Sequence, residues 1–395
     1  MAYSCATALG REVEQRTHYQ TGMPTSMRLV MPIAIFFAWI AVAFVMGLAD
    51  AGPPTPPSVD LSARTAFVSA DAAAHIRALT VPFSNFATEE ARTAYARLFA
   101  GDHHAPEADA DIAMRRAYYD HFNSALAHRA EEIYPVHIEA KVLGGVKVEV
   151  ITPKEGVSAR EHNRVLINLH GGAFLWGEGS GGEIESIPIA SLGRITVITI
   201  AYRQGPEFKF PAASEDVTAV YRALLRDHKA KNIGVYGCSA GGILTAEAVA
   251  WLQKEHLPMP GAIGIFCASA GKFGGDSVYL APELAGQTPL PGSTEGKLTF
   301  SPYFSDASLS DPLVLPMNSK SMLARFPPTL LIAGSRDFAV SAVYQTDLEL
   351  TKAGVKTELH IWDGLWHSFF NDPDLPESRE MYSIVISFFD RYLTI

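Results

Sequence analysis

The sequence predicts an α/β protein with an eight-stranded, mostly parallel sheet covered by helices on both faces. Two observations predict it. From Tyr134 to the C-terminus, short β-rich runs alternate with helical stretches, the pattern of repeated strand–helix units. Within that part, residues 233–242 read I-G-V-Y-G-C-S-A-G-G and lead into an apolar helix pattern starting at Ile243. Gly-x-Ser-x-Gly is weak evidence alone, but between a strand and a helix it describes a sharp turn that lifts a serine clear of the sheet.

Composition permits this fold and excludes some functions. The 395 residues are 48% hydrophobic and 19% charged, ordinary for a globular chain with a large core. A net charge of -10 and the lack of a Lys/Arg-rich stripe argue against nucleic-acid or polyphosphate partners. Three cysteines make neither a disulfide framework nor a zinc site.

In chain order, residues 29–48 form an almost uncharged apolar run preceded by Arg28 and followed by Ala49-Asp50-Ala51. This reads as an export signal cut near Ala49 or Ala51, with Met23 or Met27 as a natural start. Cleavage gives a periplasmic or secreted protein. The run is also long enough to span a bilayer, so the alternative is an uncleaved anchor with membrane contact through residues 29–48. Residues 1–51 are assigned to this segment and 52–59 to a proline-rich linker. Helices are expected over 61–78, 88–99 and 109–132. The stripe Met114, Tyr118, Phe122 and Leu126 reads as a packing face. Residues 60–133 sit where a helical cap could be built over a site in the domain 134–395.

That domain opens with strands 136–142 and 146–151, joined as a hairpin at Gly144-Gly145. Further strands are expected at 164–169, 195–201, 233–236, 262–267, 329–333 and 356–362. Helices are expected near 184–192, 213–228, from 243 to about 256, at 340–352 and at 378–392. The segment 271–324 is loop-rich and too long to be idle in a compact domain, so it is expected to line or cover the site.

Four features fall after strand ends, where such sheets bind ligands. Ser239 is the first. Glycine at 237 and 241 removes the clashes that side chains would make in so tight a turn. The Ala240 N–H lies at a helix N-terminus, suited to developing negative charge. Cys238 precedes the serine, but the turn exposes the central residue. The second feature, His170-Gly171-Gly172-Ala173-Phe174, has consecutive glycines that can turn backbone N–H groups into an oxyanion hole, with Gly171, Gly172 and Ala240 as donors. Asp337 lies just past an apolar strand, and His367 just past the last one. Serine needs a base to take its proton; histidine is that base near neutral pH, and a carboxylate fixes its tautomer. The chain order Ser239, Asp337, His367 is the order of the α/β-hydrolase triad. Phe174, Trp176, Trp366 and Phe369 suggest an apolar substrate pocket.

These motifs resemble the hormone-sensitive-lipase-like carboxylesterases of the α/β-hydrolase superfamily. His170–Phe174 resembles the family's His-Gly-Gly-Gly-Phe. Gly237-Cys238-Ser239-Ala240-Gly241-Gly242 resembles Gly-Asp-Ser-Ala-Gly-Gly. Residues 202–207 and 210–213, Pro327-Pro328-Thr329, and Trp366-His367-Ser368-Phe369 resemble the remaining blocks, from about Tyr134 to the C-terminus. The chain departs from the pattern at Ala173, at Cys238, and at Phe338-Ala339, where the family has Pro-Leu. The resemblance implies an α/β-hydrolase fold with a helical cap. It also implies hydrolysis of small short- to medium-chain esters through an acyl-enzyme on Ser239, without metal or cofactor. A lactone, an amide or a sugar acetyl group would use the same triad, and a non-catalytic ligand-binding relative is the remaining alternative.

Overall fold

The computed structural model describes residues 80–100, 105–106, 110–286 and 301–394. The expected export segment, linker and helix 61–78 lie outside these residues, as does the middle of the 271–324 loop. Among the described residues no helix is long and apolar enough to cross a membrane.

Two helices come first, α1 (Glu89–Phe99) and α2 (Ile112–Ile133). Each starts at a side-chain cap: Thr88 accepts from the Ala91 N–H, and Asp111 from the Ala113 and Met114 N–H groups, satisfying amides that the first helical turn leaves unpaired. The apolar stripe expected on α2 packs only in part, through Leu126, while Tyr118 is half-buried. Met114 and Phe122 are exposed, whereas Ala127 and Ala130 are buried. The long side chains read as a core stripe, while the contact needs small residues that let helices approach.

The sheet comes next: β1 (Val136–Leu143), β2 (Val146–Pro153), β3 (Val165–Leu169), α3 (Ser180–Gly193), β4 (Thr196–Ile200), α4 (Ala212–Leu224), β5 (Ile233–Cys238), α5 (Ala240–Lys254), β6 (Ala262–Phe266), α6 (Ser277–Leu284), β7 (Thr329–Arg336), α7 (Val340–Lys352), β8 (Thr357–Trp366) and α8 (Pro376–Tyr392). Strand order is β1-β2-β4-β3-β5-β6-β7-β8, with β2 antiparallel to both neighbours and the others parallel. Gly144 and Gly145 both take positive φ in the two-residue turn of the first hairpin. The eight expected strands are all present.

Alternate strand residues feed two cores, one on each face. Val165, Ile167, Ile233, Val235, Ile263 and Ile265 pack with α4, α5 and α7. Leu166, Tyr236, Phe266, Leu330 and Ile332 pack with α3 and α8. Parallel strands covered on both faces read as continuous apolar runs, which is why VLINL and TLLIA stand out in the sequence.

β8 runs four residues past its expected end at Trp362. Asp363-Gly364, just past that expected end, forms a bulge: Gly334 pairs with Trp362, yet Arg336 pairs with Trp366. Gly364 takes φ +82°, its N–H donates to Ser335 Oγ at 2.8 Å, and Ser335 Oγ donates to Asp363 Oδ1 at 3.0 Å. Bulges bend a strand and re-aim the residues beyond them. The residues beyond this one are Asp337, after β7, and His367, after β8.

Candidate active site

The turn at Ser239 is as tight as its glycines imply. Ser239 adopts φ 56°, ψ -120°, a conformation that costs a non-glycine residue roughly 1–3 kcal/mol. Its N–H donates to Phe266 O at 2.9 Å, and its carbonyl accepts the Ile243 N–H at 3.1 Å, so strand β6 and helix α5 hold the strained residue from both sides. A Cβ on Gly237 would lie 2.3 Å from Leu169 O, and one on Gly241 only 1.6 Å from it. Both lie far inside van der Waals contact, so β3 can run beside the turn only because both positions lack side chains. Ser239 is half-buried between buried neighbours.

Asp337 is fully buried, and its Oδ1 lies 2.8 Å from His367 Nδ1. Oδ1 also accepts the Ala339 N–H at 2.8 Å, which fixes the carboxylate plane. With Nδ1 held by Asp337, Nε2 is the ring nitrogen left to act. The Phe338 ring stacks on His367 at 4.5 Å between centroids and contacts Phe273 at 5.6 Å. Phe338, one of the departures from the family pattern, therefore walls the histidine, and Phe273 ties the start of the long loop to that wall. Cys238 Sγ lies 2.9 Å from Ser368 Oγ, so the residue before the serine touches the residue after the histidine. Strands β5, β7 and β8 thus bring Ser239, Asp337 and His367 to one end of the sheet. Cys238 and Cys267 are free and buried, and burial pushes both thiols up.

The loop 170–174 does not present its first expected amide. The Gly171 N–H donates to Glu185 Oε1 at 2.8 Å, so that amide is already engaged. The next two, Gly172 and Ala173, have no hydrogen-bond acceptor for their N–H groups among the described residues. Gly172 takes φ +114°, and Ala173 and Phe174 are also positive at 54° and 59°. A Cβ on Gly172 would lie 2.0 Å from Trp176 O, so glycine is required there, whereas Ala173 tolerates its left-handed backbone. His170 is buried against Tyr202, with ring centroids 4.3 Å apart, and Tyr202 OH donates to His170 O at 2.7 Å. Burial lowers its pKa to about 4, so the ring is neutral and structural.

The expected aromatic pocket is largely core. Phe174 is fully buried and stacked on Tyr303 at 4.8 Å. Trp366 packs against Tyr95 and Phe99 of α1, and Phe369 is fully buried beside Trp362. Trp176, the fourth, does line a cavity. That cavity, of about 1350 Å³, lies beyond the loop 170–174 between α2, β2 and the segment after β4, and none of Ser239, Asp337 and His367 lines it. Trp176 stacks on Tyr119 of α2 at 4.2 Å, and Arg116 donates to Leu175 O at 2.8 Å and to Gly205 O at 2.9 Å. Helix α2 is thereby fastened to the rim of the loop.

Sequence reasoning missed Glu185. Its signal was a lone acidic residue inside the apolar helix stretch 184–190, I-E-S-I-P-I-A. The side chain is buried; Oε1 accepts from Gly171 N–H and Oε2 from Asn168 Nδ2 at 2.9 Å. Burial raises its pKa to about 8.

A profile described as alpha/beta hydrolase fold matches residues 166–371, more than half of the chain. An acetyl-hydrolase of Streptomyces hygroscopicus is 26% identical over 235 residues, covering 58% of this chain and 76% of that protein. The crystal structure of an esterase, E25, superposes with a TM-score of 0.68 at 29% identity, covering 81% of this chain and 99% of that one. An esterase of the bacterial hormone-sensitive lipase family gives a TM-score of 0.66 at 21% identity over 78% of this chain and 99% of that one, a likeness of fold. The chain belongs to the α/β-hydrolase fold family, and the relatives it matches are named as esterases and acetyl-hydrolases.

Proposed function

We propose that this carboxylic ester hydrolase works through an acyl-enzyme on Ser239, with short-chain esters of small molecules as substrates. The observation that carries the reading is the Asp337–His367 contact of 2.8 Å beside a serine held in a strained turn. Ser239 Oγ attacks the ester carbonyl while His367 Nε2 takes its proton. The carbonyl π electrons move to oxygen, where the Gly172, Ala173 and Ala240 N–H groups receive the charge. The tetrahedral intermediate collapses, and the C–O bond to the alcohol breaks. His367 returns the proton to the leaving oxygen. Water, deprotonated by His367, then attacks the acyl-enzyme and releases the acid and the free serine.

The printed name of the Streptomyces relative, an acetyl-hydrolase, supports a short acyl group. The contacts of α2 with the oxyanion loop support a role for residues 60–133 as a cap. Hydrolysis of nitrophenyl esters from acetate to decanoate tests the reading. Rates are expected to peak at the short end and to fall by at least about tenfold by decanoate. A flat or rising series overturns the short-chain assignment.

For the N-terminus we propose export with cleavage near Ala49 or Ala51, supported by the apolar run and small-x-small site. N-terminal sequencing of the protein from its native host is expected to start at residue 50 or 52. A start upstream of residue 29 shows a retained anchor, with membrane contact through 29–48.

A further inference from the structure

Glu185 is a buried ionisable group at the site for which the reaction above has no use. Its carboxyl accepts two hydrogen bonds, from the Gly171 N–H at 2.8 Å and from Asn168 Nδ2 at 2.9 Å, and it lies close to the backbone of Cys238. These groups belong to three separate pieces of the site. Gly171 opens the oxyanion loop, Asn168 lies on β3, and Cys238 immediately precedes the nucleophile. Helix α3 brings the carboxyl there by a close approach. A Cβ on Gly182 would lie 2.2 Å from Thr199 Oγ1, and Tyr236 OH donates to Glu185 O at 3.1 Å.

We infer that Glu185 is a positioning residue that locks the oxyanion loop to the nucleophile turn. The inference rests on the serine-esterase reading. Glu185 accepts from the first amide of the loop and from Asn168 of β3, and lies close to the backbone just before the serine, so one side chain ties the loop to the sheet beside the turn. The spacing matters because the donors on a substrate oxygen come from both pieces, Gly172 and Ala173 from the loop and Ala240 from the turn. The pieces already nearly touch: a Cβ on Gly171 would lie 3.2 Å from Cys238 O and 3.5 Å from Ser239 Cβ. If the loop drifts, its two amides no longer converge with the third on one oxygen. The loss falls on transition-state stabilisation rather than on substrate binding.

The same placement has a pH consequence. The groups facing the carboxyl are Asn168 of β3, the Gly171 amide, Tyr236 and Cys238 of β5, and Tyr202 after β4. None is a cation. Burial raises the pKa to about 8, with hydrogen bonding to the carboxyl acting in the opposite direction. Below that pH the group is neutral. As pH rises through it, a negative charge appears beside the place where the carbonyl oxygen must become negative, so kcat falls on the alkaline side.

Glutamine can replace the acid in either direction of the network. Thr199 Oγ1 donates to Asn168 Oδ1 at 2.9 Å, and a hydroxyl can accept as well as donate. With the Asn168 amide turned over, its oxygen meets the glutamine Nε2 and its NH₂ meets Thr199, while the glutamine oxygen keeps the Gly171 N–H.

The test measures hydrolysis of nitrophenyl acetate against pH by wild type, Glu185→Gln and Glu185→Ala. Affinity for butylboronic acid, whose serine adduct mimics the tetrahedral intermediate, and thermal melting are measured alongside. Glu185→Ala is expected to lose about 10- to 100-fold in kcat with KM within about threefold, and to lose boronate affinity in proportion. Glu185→Gln is expected to recover most of the kcat and to lack the fall above pH 8. Wild-type kcat and boronate affinity in Glu185→Ala overturn the inference. Should Glu185→Ala fail to fold, Glu185→Gln decides: an alkaline fall identical to wild type overturns it, and its disappearance supports it. A wild type inert on every ester removes the serine-esterase reading itself and the inference with it, a result distinct from normal kinetics in the variants.

Discussion

Ser239→Ala is expected to abolish ester hydrolysis, lowering kcat by at least about a thousandfold on any ester that the wild type turns over. The size reflects the part the hydroxyl plays: it is both the atom that bonds to carbon and the source of the proton that His367 relays. Removing one oxygen atom from a half-buried residue leaves the turn intact, because its strain is carried by backbone bonds to Phe266 and Ile243. Melting temperature is therefore expected to stay within a few degrees of wild type, or to rise slightly. Kinetics and melting curves on the same preparation separate loss of chemistry from loss of fold. Activity within tenfold of wild type would place the nucleophile elsewhere.

Asp337→Asn is expected to lower kcat by about three to four orders of magnitude. The carboxylate does two things for His367: it fixes Nδ1–H as the donor, leaving Nε2 free to take the serine proton, and it stabilises the imidazolium that results. An amide has no charge for the second task, and its NH₂ can impose the wrong tautomer. The variant should not unfold. Asp337 is fully buried, and its Oδ2 has no hydrogen-bond partner among the described residues. Exchanging a buried charge for a neutral isostere removes a desolvation cost of order 1 kcal/mol or more. Slow turnover with an unchanged or raised melting temperature is the expected pair of results. Loss below about tenfold would mean that another acid orients His367.

The parts of this site that were legible in the sequence are those encoded locally. Ser239 is marked by glycines that its own backbone turn requires. Asp337 is marked by the apolar strand just before it, and His367 by its place just past the last strand. In each case the neighbours in sequence are the cause of the geometry. The sheet was legible for the same reason, since strands buried on both faces leave uninterrupted apolar runs, whereas the bulge at Asp363-Gly364 was not, because a bulge and a turn use the same residues.

The illegible parts depend on contacts between distant segments. Gly171 and Gly172 look alike in sequence. Only the arrival of Glu185 from α3 decides that the first amide is engaged while those of Gly172 and Ala173 are left without an acceptor among the described residues. Phe174, Trp366 and Phe369 sit beside the motifs, but adjacency to a catalytic residue does not give the direction of a side chain. All three turn away into cores built by Tyr303, by α1 and by Trp362. Phe338, in contrast, looked like a loss of the family pattern and proves to be the ring stacked on His367.

The most direct test of Ser239 as the nucleophile is intact-protein and peptide mass spectrometry after treatment with an alkyl fluorophosphonate, which phosphonylates only a serine activated as a nucleophile. One adduct per chain is expected, carried by the peptide containing Ser239, with no adduct in Ser239→Ala. An adduct on another residue, or ester hydrolysis that survives complete treatment, would contradict that assignment.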